Sequence, residues 1–345
     1  MKPIIAGVFV LLSLFLSILF HSSGEKPIKI EENYNRKFST RKIFSINEKE
    51  FTEPKKDFLF FLPSDKNLVY SYPLSDKDNN FEIRYVSSKT LNPYRSEKIK
   101  LQNNAILAFV DGDALYYRHL LNFYRYDFKE RKYKRLNNEQ TTIFDFILIN
   151  EHLALCLGNV KSQSKNVFSF FTLDFETGEI NDISKVLQTS EENLMIENSL
   201  KYAGEFVKNG NIVSYTFDFY GKIMVFDKAG KLSSQIVTID KIDVPEISHY
   251  FDTYTYKRGT TYFTNSGTLI NGNNLFTFSC RPNDMDYLII DRYELNSGVY
   301  KESFKLYYQG KKSSDINYIS SNESGEFVLG FDNFYQGFYI NFDSF

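Results

Sequence analysis

The sequence predicts an all-β protein built from repeated four-stranded sheets, and three observations lead to this prediction. Aromatic residues make up 17% of the 345 residues, with 34 Phe and 25 Tyr but no Trp, and flat rings fill the half-buried surface of a strand well. Short apolar runs alternate with polar turns that contain Gly, Asn and Asp. This hairpin unit also recurs along the chain, which indicates a repeat architecture.

The stretch YGKIMVFDKAGKL, residues 220–232, illustrates the unit. Ile223 to Phe226 alternate as in a strand, and Gly230 lies in a turn where a positive φ is expected. Similar strand, turn and strand units, most of them with an acidic residue that closes the first strand, lie at residues 84–101, 124–136, 171–183 and 291–306. Each is therefore expected to form the third and fourth strands of one sheet.

A second kind of hairpin precedes each unit, with turns such as VDGDA, VKNGN and INGNN. Six such hairpins occur at intervals of about 40 to 65 residues, close to the period of four-stranded propeller blades. Because one blade cannot bury its faces alone, the repeats must stack around an axis. The sequence predicts a six-bladed β-propeller over residues 57–345. Seven blades are the alternative, because residues 242–264 could contain a further degenerate hairpin.

The last repeat lacks a fourth strand. Its first three strands are expected at residues 316–320, 326–331 and 337–342, after which the chain ends. The remaining extended stretch is RKFSTRKIFSI, residues 36–46, within a lead segment at residues 25–56. We predict that this stretch supplies the outer strand of the last blade and closes the ring, which would also cover an open sheet edge.

The units NGNIVSYTFDFYGKIMVFDKAGKL and FFTLDFETGEI resemble those of six-bladed TolB-like or NHL-like β-propellers, many of them exported by bacteria of the Bacteroides and Flavobacterium type. The resemblance covers residues 57–345. It implies a fold and no particular reaction, because propellers carry many unrelated functions.

Residues 1–24 are typical of a targeting segment rather than of a folded element. Lys2 precedes an apolar run from Ile4 to Phe20, and the small residues Ser22 and Gly24 follow it. This pattern predicts a signal peptide, or an N-terminal anchor if the segment is not cleaved. The body of the protein is therefore expected in the periplasm or cell envelope.

The composition argues against several classes of function. The formal net charge is -2 and the basic residues are scattered, so a nucleic-acid partner is not expected. The four His residues have no metal-ligand spacing. Asp76, Asp78 and Asn80 imitate the start of a calcium loop, but Phe81 stands where that loop needs Gly. We expect no metal, no cofactor and no catalytic set.

The two cysteines, Cys156 and Cys280, fall in non-neighbouring repeats. A disulfide needs Cα atoms within about 7 Å. We therefore predict two buried thiols rather than a disulfide.

Strand alternation predicts which loops share a face. We name the strands of a blade A to D from the axis outward. The B-to-C turns and the D-to-A links then emerge on one face, and binding residues concentrate on such variable loops. The B-to-C turns contribute the candidate ligand-binding residues His119, Asp218, Tyr220, Arg281, Asp284, Asp286, Asp332 and Tyr335. The guanidinium of Arg281 could hold a carboxylate or a phosphate at two points.

Two long D-to-A links add to this face. The link at residues 241–267 is rich in Tyr and contributes the candidates His249, Tyr254 and Arg258. The link at residues 183–204 has room for a helical turn. Rings beside a cation suit a binding surface, although they could equally cover the faces of the blades.

The leading hypothesis is an exported, non-catalytic propeller that binds a peptide, a protein or a small ligand on this face. A propeller-based hydrolase or lyase is the first alternative, with Asp218, Asp284 and Asp332 as conceivable acid or base groups. A structural component of an envelope assembly is the second. Contact with a membrane is expected only through an uncleaved N-terminal segment.

Overall fold

The computed structural model has an all-β architecture with one short helix among its described residues. It describes residues 35–41, 44–47, 60–62, 68–74, 79–86, 92–103, 105–119, 122–137, 140–162, 165–182, 186–187, 195–251, 253–257, 261, 263–279, 287–308, 316, 318–321, 325–331 and 335–340. Within these ranges no helix is long and apolar enough to cross a membrane.

Five four-stranded sheets, which we call blades 1 to 5, are each built from strands that are consecutive in the chain. All pairs within a blade are antiparallel. Blade 1 contains β2 (Phe60–Leu62), β3 (Leu68–Pro73), β4 (Asn80–Val86) and β5 (Pro93–Lys100); blade 2 contains β6 (Ala105–Asp111), β7 (Ala114–His119), β8 (Asn122–Asp127) and β9 (Lys132–Arg135). Blade 3 contains β10 (Thr141–Leu148), β11 (Leu153–Ser162), β12 (Lys165–Asp174) and β13 (Ile180–Asp182). Blade 4 contains β14 (Gly204–Asn209), β15 (Ile212–Phe217), β16 (Lys222–Phe226) and β17 (Leu232–Val237); blade 5 contains β20 (Asn265–Asn271), β21 (Asn274–Ser279), β22 (Tyr287–Glu294) and β23 (Tyr300–Tyr307).

A sixth four-stranded sheet joins the two ends of the chain, and we call it the terminal sheet. It contains β24 (Tyr318–Ser321), β25 (Glu326–Gly330), β26 (Tyr335–Ile340) and the N-terminal strand β1 (Phe44–Asn47). β1 pairs antiparallel with β26, with Phe44 opposite Ile340 and Asn47 opposite Gly337. The predicted pairing of the lead segment with the last repeat is therefore present, although only the last three of residues 36–46, together with Asn47, take part in it.

The predicted count of six blades, with seven as the alternative, is not confirmed. The described residues form five blades of consecutive strands, and the sixth sheet is assembled from distant parts of the chain. In the segment that could have held a seventh blade, the described residues 242–251, 253–257, 261 and 263–264 form a two-stranded hairpin, β18 (Ile247–Tyr250) and β19 (Thr253–Tyr256), and no further strand. Two strands cannot bury a blade face, so this hairpin lies in the link between blades 4 and 5.

The first strands of successive sheets lie side by side, which is the arrangement of a propeller. β2 contacts β6, β10 contacts β14, β14 contacts β20, and β20 contacts β24. The blades thus follow one another around a centre toward which their A strands face. Aromatic side chains fill the space between blades 3 and 4, where Phe168, Phe170, Phe206, Tyr215 and Phe217 are all buried.

Residues 35–41, which we call the strap, lie along the outer strand of blade 5 before the chain reaches the terminal sheet. Phe38 forms a parallel bridge with Ser303, and the backbone N–H of Ser39 donates to Ser303 O at 2.9 Å. The Arg36 side chain reaches inward and contacts Asp291 and Asp240 at 2.7 Å each. The strap therefore ties the lead segment to blade 5 as well as to the terminal sheet.

The two long links contact each other. The link after blade 3 contains the helix α1 (Met195–Lys201), as expected for residues 183–204. α1 packs against β18 and β19 of the next link, and the Tyr256 hydroxyl donates to Leu200 O at 2.9 Å. The two links thus pack on each other.

Candidate functional site

A cavity of about 420 Å³ lies between the inner strands of blades 2, 3 and 4. Its walls are the first halves of A strands, the ends of B strands and the helix α1, so the cavity lies toward the face of the B-to-C turns and D-to-A links. Its polar lining includes Arg118, Asp145, Ser199, Glu205 and Asp218, and its apolar lining includes Ile106, Leu107, Phe144, Leu157, Phe168 and Tyr202. Pockets that combine apolar walls with a few convergent polar groups are typical ligand sites.

Asp145 reaches the cavity because β10 is irregular at this point. The register between β10 and β11 shifts between Ile143 and Asp145, and such a bulge re-aims a side chain. The carboxyl of Asp145 accepts a hydrogen bond from the N–H of Phe146 at 2.8 Å and another from the N–H of Phe206 in blade 4. Burial, reinforced by the nearby Asp218, raises the pKa of Asp145 to about 7.

Glu205 repeats this arrangement one blade further along the chain. Its carboxyl accepts a hydrogen bond from the N–H of Thr268 in blade 5, and burial raises its pKa well above the ordinary range. The residue before Thr268 is Gly267, where an added Cβ would lie 2.3 Å from Glu205 Oε1. Gly267 thus leaves the space that the Glu205 carboxyl occupies.

Asp218 follows β15 directly, and its backbone is held on both sides. Its N–H donates to Ala203 O at 2.9 Å, and its carbonyl accepts from the N–H of Thr264 at 2.6 Å. Its side-chain carboxyl has no hydrogen-bond or ion-pair partner within the described part of the chain, and burial raises its pKa to about 7. An unpaired carboxyl in a cavity is costly unless a ligand or water satisfies it.

The raised pKa values predict how stability depends on pH. A carboxyl whose pKa is higher in the folded than in the unfolded state binds protons on folding, so stability falls as the pH rises from about 4 to about 7. Asp145→Asn removes the free-energy cost of ionising a buried carboxyl and retains an oxygen that accepts hydrogen bonds. We expect it to raise the free energy of unfolding by about 1 to 3 kcal/mol at pH 8 and to leave it unchanged at pH 4. Urea unfolding at both pH values measures this.

Asp127→Asn is the matched control for this prediction. Hydrogen bonds from the N–H groups of Glu130 and Lys129, the Glu130 bond being the larger effect, lower the pKa of Asp127 at a turn. The stability that this carboxylate contributes is present at neutral pH and is lost as the pH falls through its lowered pKa. Asp127→Asn should therefore destabilise at pH 8. Equal destabilisation by both substitutions at pH 8 would contradict the assignment of Asp145.

The structure places the described candidate residues in four locations. Asp218 lines the cavity. Tyr220 lies beside it in sequence but packs on Phe217, with ring centroids 5.4 Å apart. His119 ends β7 and faces the ring of Tyr124 at 6.3 Å. His249 and Tyr254 stack on each other at 4.4 Å across the β18–β19 hairpin and do not line the cavity.

The remaining candidates cannot be placed in the site. Arg258, Arg281, Asp284, Asp286 and Asp332 lie outside the described residues, as does the side chain of Tyr335, whose backbone begins β26. Cys280 also lies outside them, whereas Cys156 is a buried free thiol, as predicted. The suggested calcium loop includes Asp76 and Asp78, which are not described either. The described residues contain no group of acidic, His or Cys side chains suited to a metal.

Sequence reasoning overlooks Arg118, Asp145 and Glu205, because it searches the turns and these residues lie in or at the ends of strands. One signal was available for Asp145. It stands between Phe144 and Phe146 in TTIFDFIL, and a charged residue within an apolar strand usually has a functional or pairing role.

Comparisons with solved structures support the fold. A member of the DUF4221 family from Bacteroides vulgatus aligns over 86% of this chain and 98% of its own, with a TM-score of 0.51 and 10% sequence identity. The chain has a β-propeller fold. Streptogramin B lyase (10% identity, 87% and 98% coverage, TM-score 0.46) and BamB from Moraxella catarrhalis (9%, 81% and 84%, 0.43) are also similar.

No family model matches the chain, and no curated protein matches it in sequence. At 10% identity the structural likeness shows the fold alone. The resemblance to TolB-like or NHL-like propellers therefore stays a prediction.

Proposed function

We propose that the protein is an exported, non-catalytic β-propeller that binds a peptide segment or a small ligand in the cavity between blades 2, 3 and 4. The observation that carries this proposal is the unpaired carboxyl of Asp218: it lines the cavity, and no residue in the described part of the chain forms a hydrogen bond or ion pair with it. Arg118 lines the same cavity and interacts electrostatically with Asp145. A carboxyl without a partner in a cavity is rare in proteins unless a ligand or water completes it.

The cavity favours a ligand with a basic group. Asp145, Glu205 and Asp218 outnumber Arg118, so a cationic group that enters the cavity would stabilise the ionised form of these carboxyls and be bound by them. The walls of Phe144 and Phe168 suit an apolar stem. Arg118 could hold a carboxylate of the same ligand at two points.

We further propose that the terminal sheet serves as a sixth blade that closes the ring. The N-terminal segment would direct the protein to the periplasm or cell envelope.

A thermal-shift titration tests the proposal. Putrescine, agmatine and lysine-containing dipeptides are compared with glutamate-containing dipeptides, because a ligand that binds only the folded state raises the Tm. We expect the basic probes to stabilise the protein and Asp218→Asn to weaken this binding about tenfold or more. Asp113→Asn, at a position whose side chain is 65% exposed, is the control and should bind normally. A Tm that no probe shifts would contradict the proposal.

An enzyme is the second candidate, and the pKa values of about 7 for Asp145 and Asp218 favour it, because a general acid or base works best near the ambient pH. Turnover of a hydrolase and lyase substrate panel, abolished by Asp218→Asn with probe binding retained, would support this reading. The role of a structural component in an envelope assembly is the third candidate, and it predicts no response to any small probe.

A further inference from the structure

The β18–β19 hairpin presents two aromatic rings to solvent at its tip. Tyr250 is 72% exposed and Phe251 is 93% exposed. Phe251 also has a φ of 51°, a left-handed backbone conformation that is uncommon for a bulky residue. Single exposed apolar residues need no explanation, but two adjacent exposed rings on a strained turn call for one.

The base of the hairpin is anchored, so the tip projects from a supported element. His249 and Tyr254 stack across the two strands at 4.4 Å. The ring of Tyr256 packs on Phe219 at 4.4 Å, and its hydroxyl holds the end of α1. The exposed apolar side chains Ile196, on α1, and Phe263, against Phe219, continue the apolar surface beside the base.

The N-terminal part of the chain enters the fold beside the same link. Arg36 Nη2 lies 2.7 Å from Oδ1 of Asp240, seven residues before the hairpin begins at Ile247. The sequence upstream contains the apolar run from Ile4 to Phe20, followed by residues 21–34. These residues can span at most about 50 Å when fully extended. A bilayer that holds the apolar run would therefore lie within reach of the hairpin tip.

We propose that the tip of the hairpin, Tyr250 and Phe251, inserts into the interfacial region of the lipid bilayer to which the N-terminal segment tethers the protein. Rings of Tyr and Phe suit the boundary between acyl chains and headgroups, because Tyr keeps its hydroxyl in the polar layer while both rings bury apolar surface. The tether supplies proximity, so two rings are sufficient for a contact that would be weak on its own. This inference rests on an N-terminal segment that is kept as an anchor rather than cleaved as a signal peptide, and it is independent of ligand binding in the cavity.

The absence of Trp from the sequence permits a direct test. Phe251→Trp places a single Trp, which can be excited selectively over the Tyr residues, at the tip of the full-length chain. The variant is reconstituted in vesicles of phosphatidylethanolamine and phosphatidylglycerol with or without brominated acyl chains. We expect a blue-shifted emission that the brominated lipid lowers by about half or more, as for a residue at the acyl boundary. Tyr133→Trp is the control, because Tyr133 is 62% exposed on the outer strand of blade 2 and should not be quenched.

Three results would overturn the proposal. One is a Phe251→Trp emission that brominated lipid does not change while the chain sits in the vesicles, which would leave the tip for a protein partner. Another is equal quenching of the Trp in the Phe251→Trp and Tyr133→Trp variants, which would mean that the hairpin tip contacts the bilayer no more than the outer strand of blade 2 does. The third is a full-length chain that does not enter vesicles at all, because the tether would then be missing. None of these results affects the thermal shift with the basic probes. Failure of the bilayer contact can therefore be distinguished from failure of ligand binding in the cavity.

Discussion

Arg36→Ala is expected to lower the free energy of unfolding by about 3 to 5 kcal/mol, because it leaves two buried carboxyl groups without their cation. Arg36 donates from Nε and Nη2 to Asp291 at 2.9 and 2.7 Å and contacts Asp240 at 2.7 Å. The side chain of Arg36 is fully buried, and those of Asp240 and Asp291 are at most 4% exposed. Urea unfolding of the variant measures the loss.

The contacts of Arg36 join several parts of the fold. Ser303 Oγ also donates to Asp291, and Asp240 contacts the same guanidinium of Arg36. The strap, the link after blade 4 and the outer strands of blade 5 therefore meet around the Arg36–Asp291 pair. Burial raises the pKa of Asp291, while Arg36 opposes this shift. Without Arg36, burial alone would act on the carboxyl, and the strap would lose its inward anchor.

Arg41→Ala is the matched control, because Arg41 belongs to the same strap but pairs with Glu302 at the surface, where its side chain is 49% exposed. Exposed ion pairs contribute about 1 kcal/mol or less. If Arg36→Ala were no more destabilising than Arg41→Ala, the strap would not be a structural part of the propeller.

Phe170→Ala is expected to cost a similar amount, about 3 to 5 kcal/mol, because it opens a cavity between blades 3 and 4 that the surrounding sheets cannot close. The ring of Phe170 lies 5.1 Å from Tyr215, 5.1 Å from Phe226 and 6.1 Å from Phe206. These partners belong to three strands of the next blade, so one side chain supports most of the interface. The midpoint of urea unfolding should fall accordingly.

Tyr133→Ala tests whether loss of any aromatic ring would have the same effect. Tyr133 is 62% exposed and meets only one ring, that of Tyr124, among the described residues. Substitutions at such surface positions usually change stability by about 0.5 kcal/mol or less. A loss at Tyr133 as large as that at Phe170 would contradict the view that packing between blades carries the stability.

The local structure follows closely from the sequence. Residues 222–226 and 232–237 form the third and fourth strands of blade 4, and Gly230 between them has a φ of 74°. The carboxylate of Asp227 accepts hydrogen bonds from the N–H groups of Ala229 and Lys231. This explains why an acidic residue closes the first strand of the unit: it organises the turn that follows.

The candidate site was less accessible to prediction. Among the candidate residues that the structure describes, Asp218 alone lines the cavity, and its place after a B strand can be read from the strand alternation. Asp145 reaches the cavity through a bulge, and Glu205 through the missing side chain of Gly267 in another blade. Neither a bulge nor a contact between blades leaves a periodic signal in the sequence.

The repeated antiparallel hairpins and their turns follow from residue order alone, because they depend on alternation and turn chemistry within a few dozen residues. The use of an N-terminal strand beside the last repeat could be predicted because that repeat lacks a fourth strand. The folded chain was needed to show that five blades are continuous, that Arg36 is buried between Asp240 and Asp291, and that three carboxyls share one cavity. Such features join residues far apart in the chain, and their energies depend on burial and distance, which residue order does not contain.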